Sequence, residues 1–220
     1  SAFGEPFSSD KFYRPIQILT YLINFKLTGL NPIFFRLTNI FCICLSSTFF
    51  YFILKRFKVR SIDSFLFSLL YLLHPIHVEI ITYISGRGDV LYVMFCLLSF
   101  LLFLKYPKTN YFSNFAIFFL VILSFLTKEN SVVFPFILIA YCFFLRHKHI
   151  HWITYPLTFL SISYSIFRIF FAKTATSLSW INEATFYEKI STMSYILVEY
   201  FKLFFFPYPL HMEYHHVERT

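Results

Sequence analysis

Seven apolar segments, separated by short clusters of charge, leave this chain few folds to choose from. They run roughly Ile33 to Leu54, Ile62 to Ile80, Val90 to Leu104, Phe112 to Thr127, Val132 to Leu145, Trp152 to Ala172 and Ile190 to Phe206. A helix needs roughly 17–25 residues to cross the hydrocarbon core, where no water satisfies backbone polar groups. The first six segments read as spans, and the third, fourth and fifth must borrow flanking residues to reach that length. Hydrophobic residues are 58% of the chain and charged residues 14%, against roughly 45–50% and 25% in a soluble domain. The expectation is an all-α polytopic transmembrane helix bundle, about six spans plus interfacial helices. Residues 1–32 read as the end of an outer-face loop with an interfacial helix, and 33–220 as the bundle. In the first part, Ile16, Leu19, Leu22, Ile23 and Leu27 recur near helical spacing, which suits a helix lying on the interface.

Other features of the sequence carry less. Gly is scarce, at 4, so helix contacts are expected to be mostly aromatic and aliphatic. Cys42, Cys44, Cys96 and Cys142 all lie inside apolar runs, with no zinc-like spacing, and read as small hydrophobes without a disulfide. Glu199 and Lys202 stand i, i+3 in the last segment and can pair. That segment ends at Pro207 and Pro209 and has no Lys or Arg before Arg219, so it reads as an interfacial or re-entrant helix.

Charge sets the orientation. Lys55, Arg56, Lys58 and Arg60 follow the first span, Lys105 and Lys108 the third, Arg146 and Lys148 the fifth. These alternate loops hold eight of the 19 basic residues and one acid, Asp63. Cytoplasmic loops show such an excess. The opposite face then carries residues 1–30, His74 to Asp89, Lys128-Glu129-Asn130 and the loop from Lys173 to Glu188. Its charges are mixed, with Glu79 near Arg87 and Asp89, Lys128 beside Glu129 and Glu188 beside Lys189. Any one pair is explained by interfacial ion pairing at a helix end. Several on one face favour proton transfer and the binding of a charged ligand.

The densest stretch is HPIHVEIITYISGRGD, from His74 to Asp89. Ionisable groups at a membrane boundary are costly and mark a candidate site. His74 and His77 stand i, i+3, on one helix face if Pro75 does not interrupt it. H-x-x-H is a weak metal signal, and no divalent metal or other cofactor is expected. His147, His149 and His151 alternate in RHKHIH, which a basic cytoplasmic loop explains without metal. Gly86 and Gly88 flank Arg87 and allow a tight turn. Asp89 reads equally as a helix cap or as a direct participant. Arg87 has a fork that suits phosphate or carboxylate, and Glu79 can pair with it or with a His. Arg168 either reaches the interface or holds a phosphate.

The string HPIHVEIITYISGRGDVLYVMF resembles the signature of the transmembrane and tetratricopeptide-repeat O-mannosyltransferases, within the GT-C superfamily of membrane glycosyltransferases. YRPIQILTYLINFKLTGLNPIFFRLTNI, SFLTKENSVVFPFILIAY and YFKLFFFPYPLHMEY resemble three further segments, in order, from Tyr13 to Tyr214. The resemblance implies a GT-C-like bundle in the bacterial inner membrane or endoplasmic reticulum, with its active face periplasmic or lumenal. It implies transfer of a sugar, mannose in the family, from a polyprenyl-phosphate donor to a protein or glycan hydroxyl. Membrane lipid, lipid-linked sugar phosphate and acceptor are the expected partners, and nucleic acid is not. Arg14, His74, His77, Arg87, Lys128 and Arg168 are the expected substrate-binding residues, with Glu79, Asp89 and Glu129 supporting. The family's catalytic acidic pair follows its first helix. Glu5 and Asp10 do not match that pair, so the base is expected upstream, with repeats downstream and this stretch inactive alone. Arg36 stands where the family often has His, and Glu213-Tyr214 where it has Asp followed by an aromatic. The competing class is a transporter or flippase subunit with an outer-face charged vestibule.

The charge pattern makes a topological prediction. Single cysteines introduced at positions 77 and 128 should react with an impermeant thiol reagent from one side of sealed vesicles, and one at position 146 from the other. Labelling of positions 77 and 146 from the same side excludes this arrangement.

Overall fold

The computed structural model describes residues 14–105, 111–145, 151–171 and 185–206, and these are helical with no strand. The expected features at Glu5, Asp10, Lys108, Arg146 to His149, Lys173 to Ala184 and Pro207 to Tyr214 lie outside the described residues. Helix α1 is Pro15–Thr28, α2 Pro32–Arg56, α3 Ser61–Leu73 and α4 His77–Thr82. A 3₁₀ turn, Ile84–Gly86, runs into α5, Arg87–Lys105. Then come α6, Tyr111–Thr127, a second 3₁₀ turn, Glu129–Val133, α7, Phe134–Leu145, α8, His151–Phe171, and α9, Phe186–Phe205.

Local chemistry sets most of these boundaries. Pro15 and Pro32 occupy the first turns of α1 and α2, where a missing N–H costs nothing. Asn31 caps α2 by accepting from the Ile33 N–H. Gly29, at φ 66° and ψ −151°, closes α1 in a positive-φ conformation that only glycine adopts cheaply. Thr185 and Glu188 form a reciprocal capping box that starts α9 earlier than its apolar run.

One expected span is divided. The segment read as Ile62 to Ile80 ends as a helix at Leu73, and His74 takes extended backbone angles, φ −61° and ψ 128°. Pro75 causes this, because its ring excludes helical geometry from the preceding residue. His74 therefore caps α3 while His77 opens α4, and the two do not share a helix face as their spacing suggests.

Helix α5 joins two cores. Phe103 packs with Ile117, Val121 and Phe125 of α6, Phe134, Leu138 and Cys142 of α7, and Ile153 and Leu157 of α8. Val90 and Leu91 pack with Cys42 and Ile43 of α2. Helix α2 also lies along α3, and α1 rests against α6, α2 and α5. All four cysteines are free thiols.

The interior is more polar than the exterior. Asn39, Ser46, Ser64, Arg87, Ser99, Ser124, Thr127 and Ser161 are fully buried. Leu27, Phe115, Phe143, Phe144 and Phe159 are largely exposed. Water would reverse this arrangement, whereas lipid favours it, because every polar group then needs a protein partner. Pro32–Arg56 and Ile84–Lys105 are long and apolar enough to cross a membrane, with mean hydropathy of 1.8 and 1.9. The small residues that let helices approach are serines, so scarce glycine did not leave the contacts to aromatic and aliphatic side chains alone. Ser47 Oγ donates to Ser68 O across α2 and α3, and Ser161 Oγ donates to Val132 O.

Truncation should separate the two surfaces. Leu157→Ala, in the larger core, should cost at least about 2 kcal/mol of unfolding free energy through lost packing. Phe159→Ala, two residues on, should change it by less than about 0.5 kcal/mol. Equal losses in detergent denaturation would mean that Phe159 also packs against protein.

Candidate functional site

The first level of the site is a buried cation. Arg87 opens α5, is fully buried, and sends its guanidinium between α1 and α2. Its Nε donates to Asn39 Oδ1 at 2.9 Å, Nη1 to Asn24 Oδ1 at 3.2 Å and Nη2 to Phe35 O at 2.8 Å. The guanidinium carbon lies 4.6 Å from the Tyr21 ring centroid and 5.4 Å from that of Phe35. Both amides face their acceptor oxygens toward Arg87 because their nitrogens donate elsewhere. Asn39 Nδ2 donates to Ile80 O, and Asn24 Nδ2 to Thr38 Oγ1 and Phe34 O. Every partner is neutral, so the site keeps a positive charge in a region of low dielectric.

Helix α1 docks onto this hub with its polar edge. Gln17, Tyr21 and Asn24, at i, i+4 and i+7, face the bundle while Leu19, Leu22, Ile23 and Leu27 remain exposed. Gln17 Nε2 donates to Ser85 O and Tyr21 Oη donates to Ile84 O, which ties α1 to the turn before α5. Contact here is close. A Cβ on Gly88 would stand 2.7 Å from Gln17 Oε1, and one on Gly86 would stand 3.1 Å from the Ile80 Cα. The two glycines flanking Arg87 thus serve close approach, not a left-handed turn, and neither has a positive φ.

The second level is a set of ion pairs at the same end of the bundle. Arg14, just before α1, reaches Glu129 through Nη2 to Oε1 at 2.7 Å and Nε to Oε2 at 3.3 Å. Arg168, in the last turn of α8, lies 3.4 Å from Glu129 Oε2. Lys128 donates to Asp89 in the first turn of α5. Burial pushes the Glu129 carboxyl up, but the Arg14 hydrogen bonds, with the charges of Arg14 and Arg168, outweigh it and hold the group below its ordinary value. Among the described residues, three cations, Arg14, Arg168 and Lys128, here meet two carboxylates, Glu129 and Asp89. Lys55 and Lys105 lie in the last turns of α2 and α5, at the opposite ends of those helices.

Asp89 goes to Lys128, a partner the sequence reading did not assign. The cap it was weighed for is not made, since the 3₁₀ turn already supplies the Ile84 carbonyl to the Arg87 N–H. Glu79 is exposed in α4, and Arg87 takes the two asparagines and a carbonyl in place of it. His74 Nδ1 accepts from the Ile76 N–H, so Nε2 carries the proton and donates to Phe204 O of α9 at 3.0 Å. The His74 ring stacks on Phe204, with centroids 5.6 Å apart. His77 meets Tyr71 edge-on at 4.9 Å, and burial holds its imidazole below its ordinary value, partly offset by a hydrogen bond at the Tyr71 backbone. Arg14, Lys128, Arg168, Asp89 and Glu129 thus meet in one region, with Arg87 behind them. His74 and His77 belong to the contacts of α3, α4 and α9. Gln17, Tyr21, Asn24 and Asn39 escaped the sequence reading. A polar edge on an apolar helix and a lone Asn inside an apolar run were the available signals.

Curated proteins share this stretch. Human protein O-mannosyl-transferase TMTC1 is 40% identical over 104 residues, 46% of this chain and 11% of the relative. Protein O-mannosyl-transferase F38B6.6 of Caenorhabditis elegans is 34% identical over 146 residues, 64% of this chain and 20% of the relative. Human TMTC3, named likewise, is 37% identical over 101 residues, 44% of this chain and 11% of the relative. The chain is a homologue of the TMTC-type protein O-mannosyl-transferases. It spans between about a tenth and a fifth of the length of these relatives. No family model and no solved structure matches it.

The hub can be tested through stability. Arg87→Met would leave two buried amide oxygens without donors and should cost about 2–5 kcal/mol. Arg87→Lys should recover less than half, because one ammonium cannot serve three divergent acceptors. Wild-type unfolding free energy in Arg87→Met would show that the asparagines do not depend on this cation.

Proposed function

We propose that this chain forms the donor-binding part of a GT-C-type membrane glycosyltransferase of six spans with interfacial helices. The reaction moves a sugar, mannose by the relatives' names, from a polyprenyl-phosphate donor to a protein or glycan hydroxyl. It takes place at the periplasmic or lumenal face. The single observation carrying this reading is the meeting of Arg14, Arg168 and Lys128, with Arg87 behind them, at one end of a bundle with an apolar exterior. A lipid-linked phosphate has that polarity, with its tail in lipid and its anion at the boundary. A transporter reading needs charge near the midplane, whereas Arg87 opens α5 and Arg168 closes α8.

The chemistry divides between binding and proton transfer. A base removes the proton of the acceptor hydroxyl, whose oxygen bonds to the anomeric carbon as the bond from that carbon to phosphate oxygen breaks. Polyprenyl phosphate leaves with the electron pair, and arginine forks stabilise that developing charge. Glu129, held ionised between two arginines, is a poor base while so held, and Asp89 is engaged with Lys128. We therefore assign the base to a carboxylate outside this stretch, with Glu79 and Asp89 in support.

The test is sugar transfer by the full-length protein in nanodiscs, from a mannosyl polyprenyl phosphate to an acceptor peptide. Arg14→Gln and Lys128→Gln should each weaken donor binding by about 1.5–3 kcal/mol, leaving the acceptor KM unchanged. Unchanged donor affinity in both variants refutes the assignment.

A further inference from the structure

We infer that Glu129 competes with the phosphate of a lipid-linked ligand for Arg14 and Arg168, and swings away when that phosphate binds. The inference rests on the donor reading and adds a moving part to it. Its first support is geometric. Arg14 meets the carboxylate through Nη2 and Nε, at 2.7 and 3.3 Å, and Arg168 approaches the same Oε2 at 3.4 Å. Two anionic oxygens spread across a guanidinium edge are also what a phosphate ester presents, so one arginine edge cannot serve both. A phosphate beside a retained Glu129 would face a like charge in a half-desolvated site.

Position and backbone add to this. Glu129 is more exposed than the groups it bridges, at 35% of its side chain against 21% for Arg14 and 18% for Arg168. The carboxylate is thus the most solvent-accessible member of the trio, so it can leave the arginines without passing through the core. It stands on a 3₁₀ turn of five residues that follows an extended Lys128, φ −154°. Such turns have poorer hydrogen-bond geometry than α-helix, so a side chain there is repositioned without unravelling α6 or α7. Ser131 anchors the turn below Glu129 through its Oγ and N–H, both to Lys128 O. Lys128 pairs with Asp89, a contact that does not involve Glu129, so moving Glu129 takes a carboxylate from the two arginines and leaves that pair in place. Once released, Glu129 loses the contacts that hold its carboxyl low and becomes a better proton acceptor while the ligand is bound.

Competition and positioning predict opposite signs for one substitution. Glu129→Gln keeps the shape and removes the charge. In the full-length protein, binding of a short-chain polyprenyl phosphate without sugar should tighten about tenfold as the competing charge is lost. Inorganic phosphate, as a second arm, should gain by a similar factor, which places the effect at the phosphate and not at the lipid tail. Glu129→Asp keeps the charge on a shorter arm and should bind between the wild type and Glu129→Gln. Unchanged or weaker binding in Glu129→Gln and Glu129→Asp overturns the inference, as does a gain confined to the lipid arm. Sugar transfer by the wild type is measured alongside. Transfer without the gain overturns competition and spares the donor reading. A gain without transfer overturns the donor reading and keeps the phosphate site.

Discussion

The guanidinium of Arg87 joins more of this molecule than any other single group among the described residues. It binds α1 through Asn24, α2 through Asn39 and Phe35, and α4 through the other side of Asn39, whose Nδ2 donates to Ile80 O. In an apolar solvent each of those acceptors would otherwise be costly. Removing the cation therefore leaves several groups unpaired at once, and removing a partner exposes a buried charge. The hub thus ties α1 and α2 to the start of α5, beside the apolar packing of Val90 and Leu91 on Cys42 and Ile43.

Function enters as charge left over from structure. Neutral amides and aromatic faces hold Arg87 without cancelling it. Among the described residues, the nearby pairs set three cations, Lys128, Arg14 and Arg168, against two carboxylates, Asp89 and Glu129. Such a region complements the charge of the anionic ligand proposed above. Over 46% and 64% of its length the chain is similar to proteins named as protein O-mannosyl-transferases, of which it spans 11% and 20%.

The start of α2 at Pro32, the end of α1 at Gly29 and the Glu199–Lys202 pair followed from local chemistry that any neighbourhood would preserve, whereas the hydropathy of Ile62 to Ile80 hid the break that Pro75 makes. The pairing of Asp89 with Lys128 did not follow from local chemistry, since it joins residues far apart in the chain. The same holds for Arg87, whose fork fits a phosphate as well as it fits two amides, so sequence alone could not choose between them. Gly86 and Gly88 show the same limit. A glycine permits both a tight turn and a close contact, and only the position of Gln17 and Ile80 decides which is used.

By itself the sequence determined the solvent, the helical class, most of the helix limits and the resemblance to a family. Each of these depends on composition, on residues next to one another or on a contiguous motif. Hydropathy names lipid, proline and glycine mark ends, and the basic loops imply an orientation. Tertiary structure alone decided which cations are spent on the fold and which meet at the surface. Arg87 and Arg14 are both arginines beside apolar segments, yet one is sealed between helices and the other grips a half-buried carboxylate. That difference comes from the crossing of α1, α2 and α5, because burial and long-range pairing are properties of packed helices and not of any single segment.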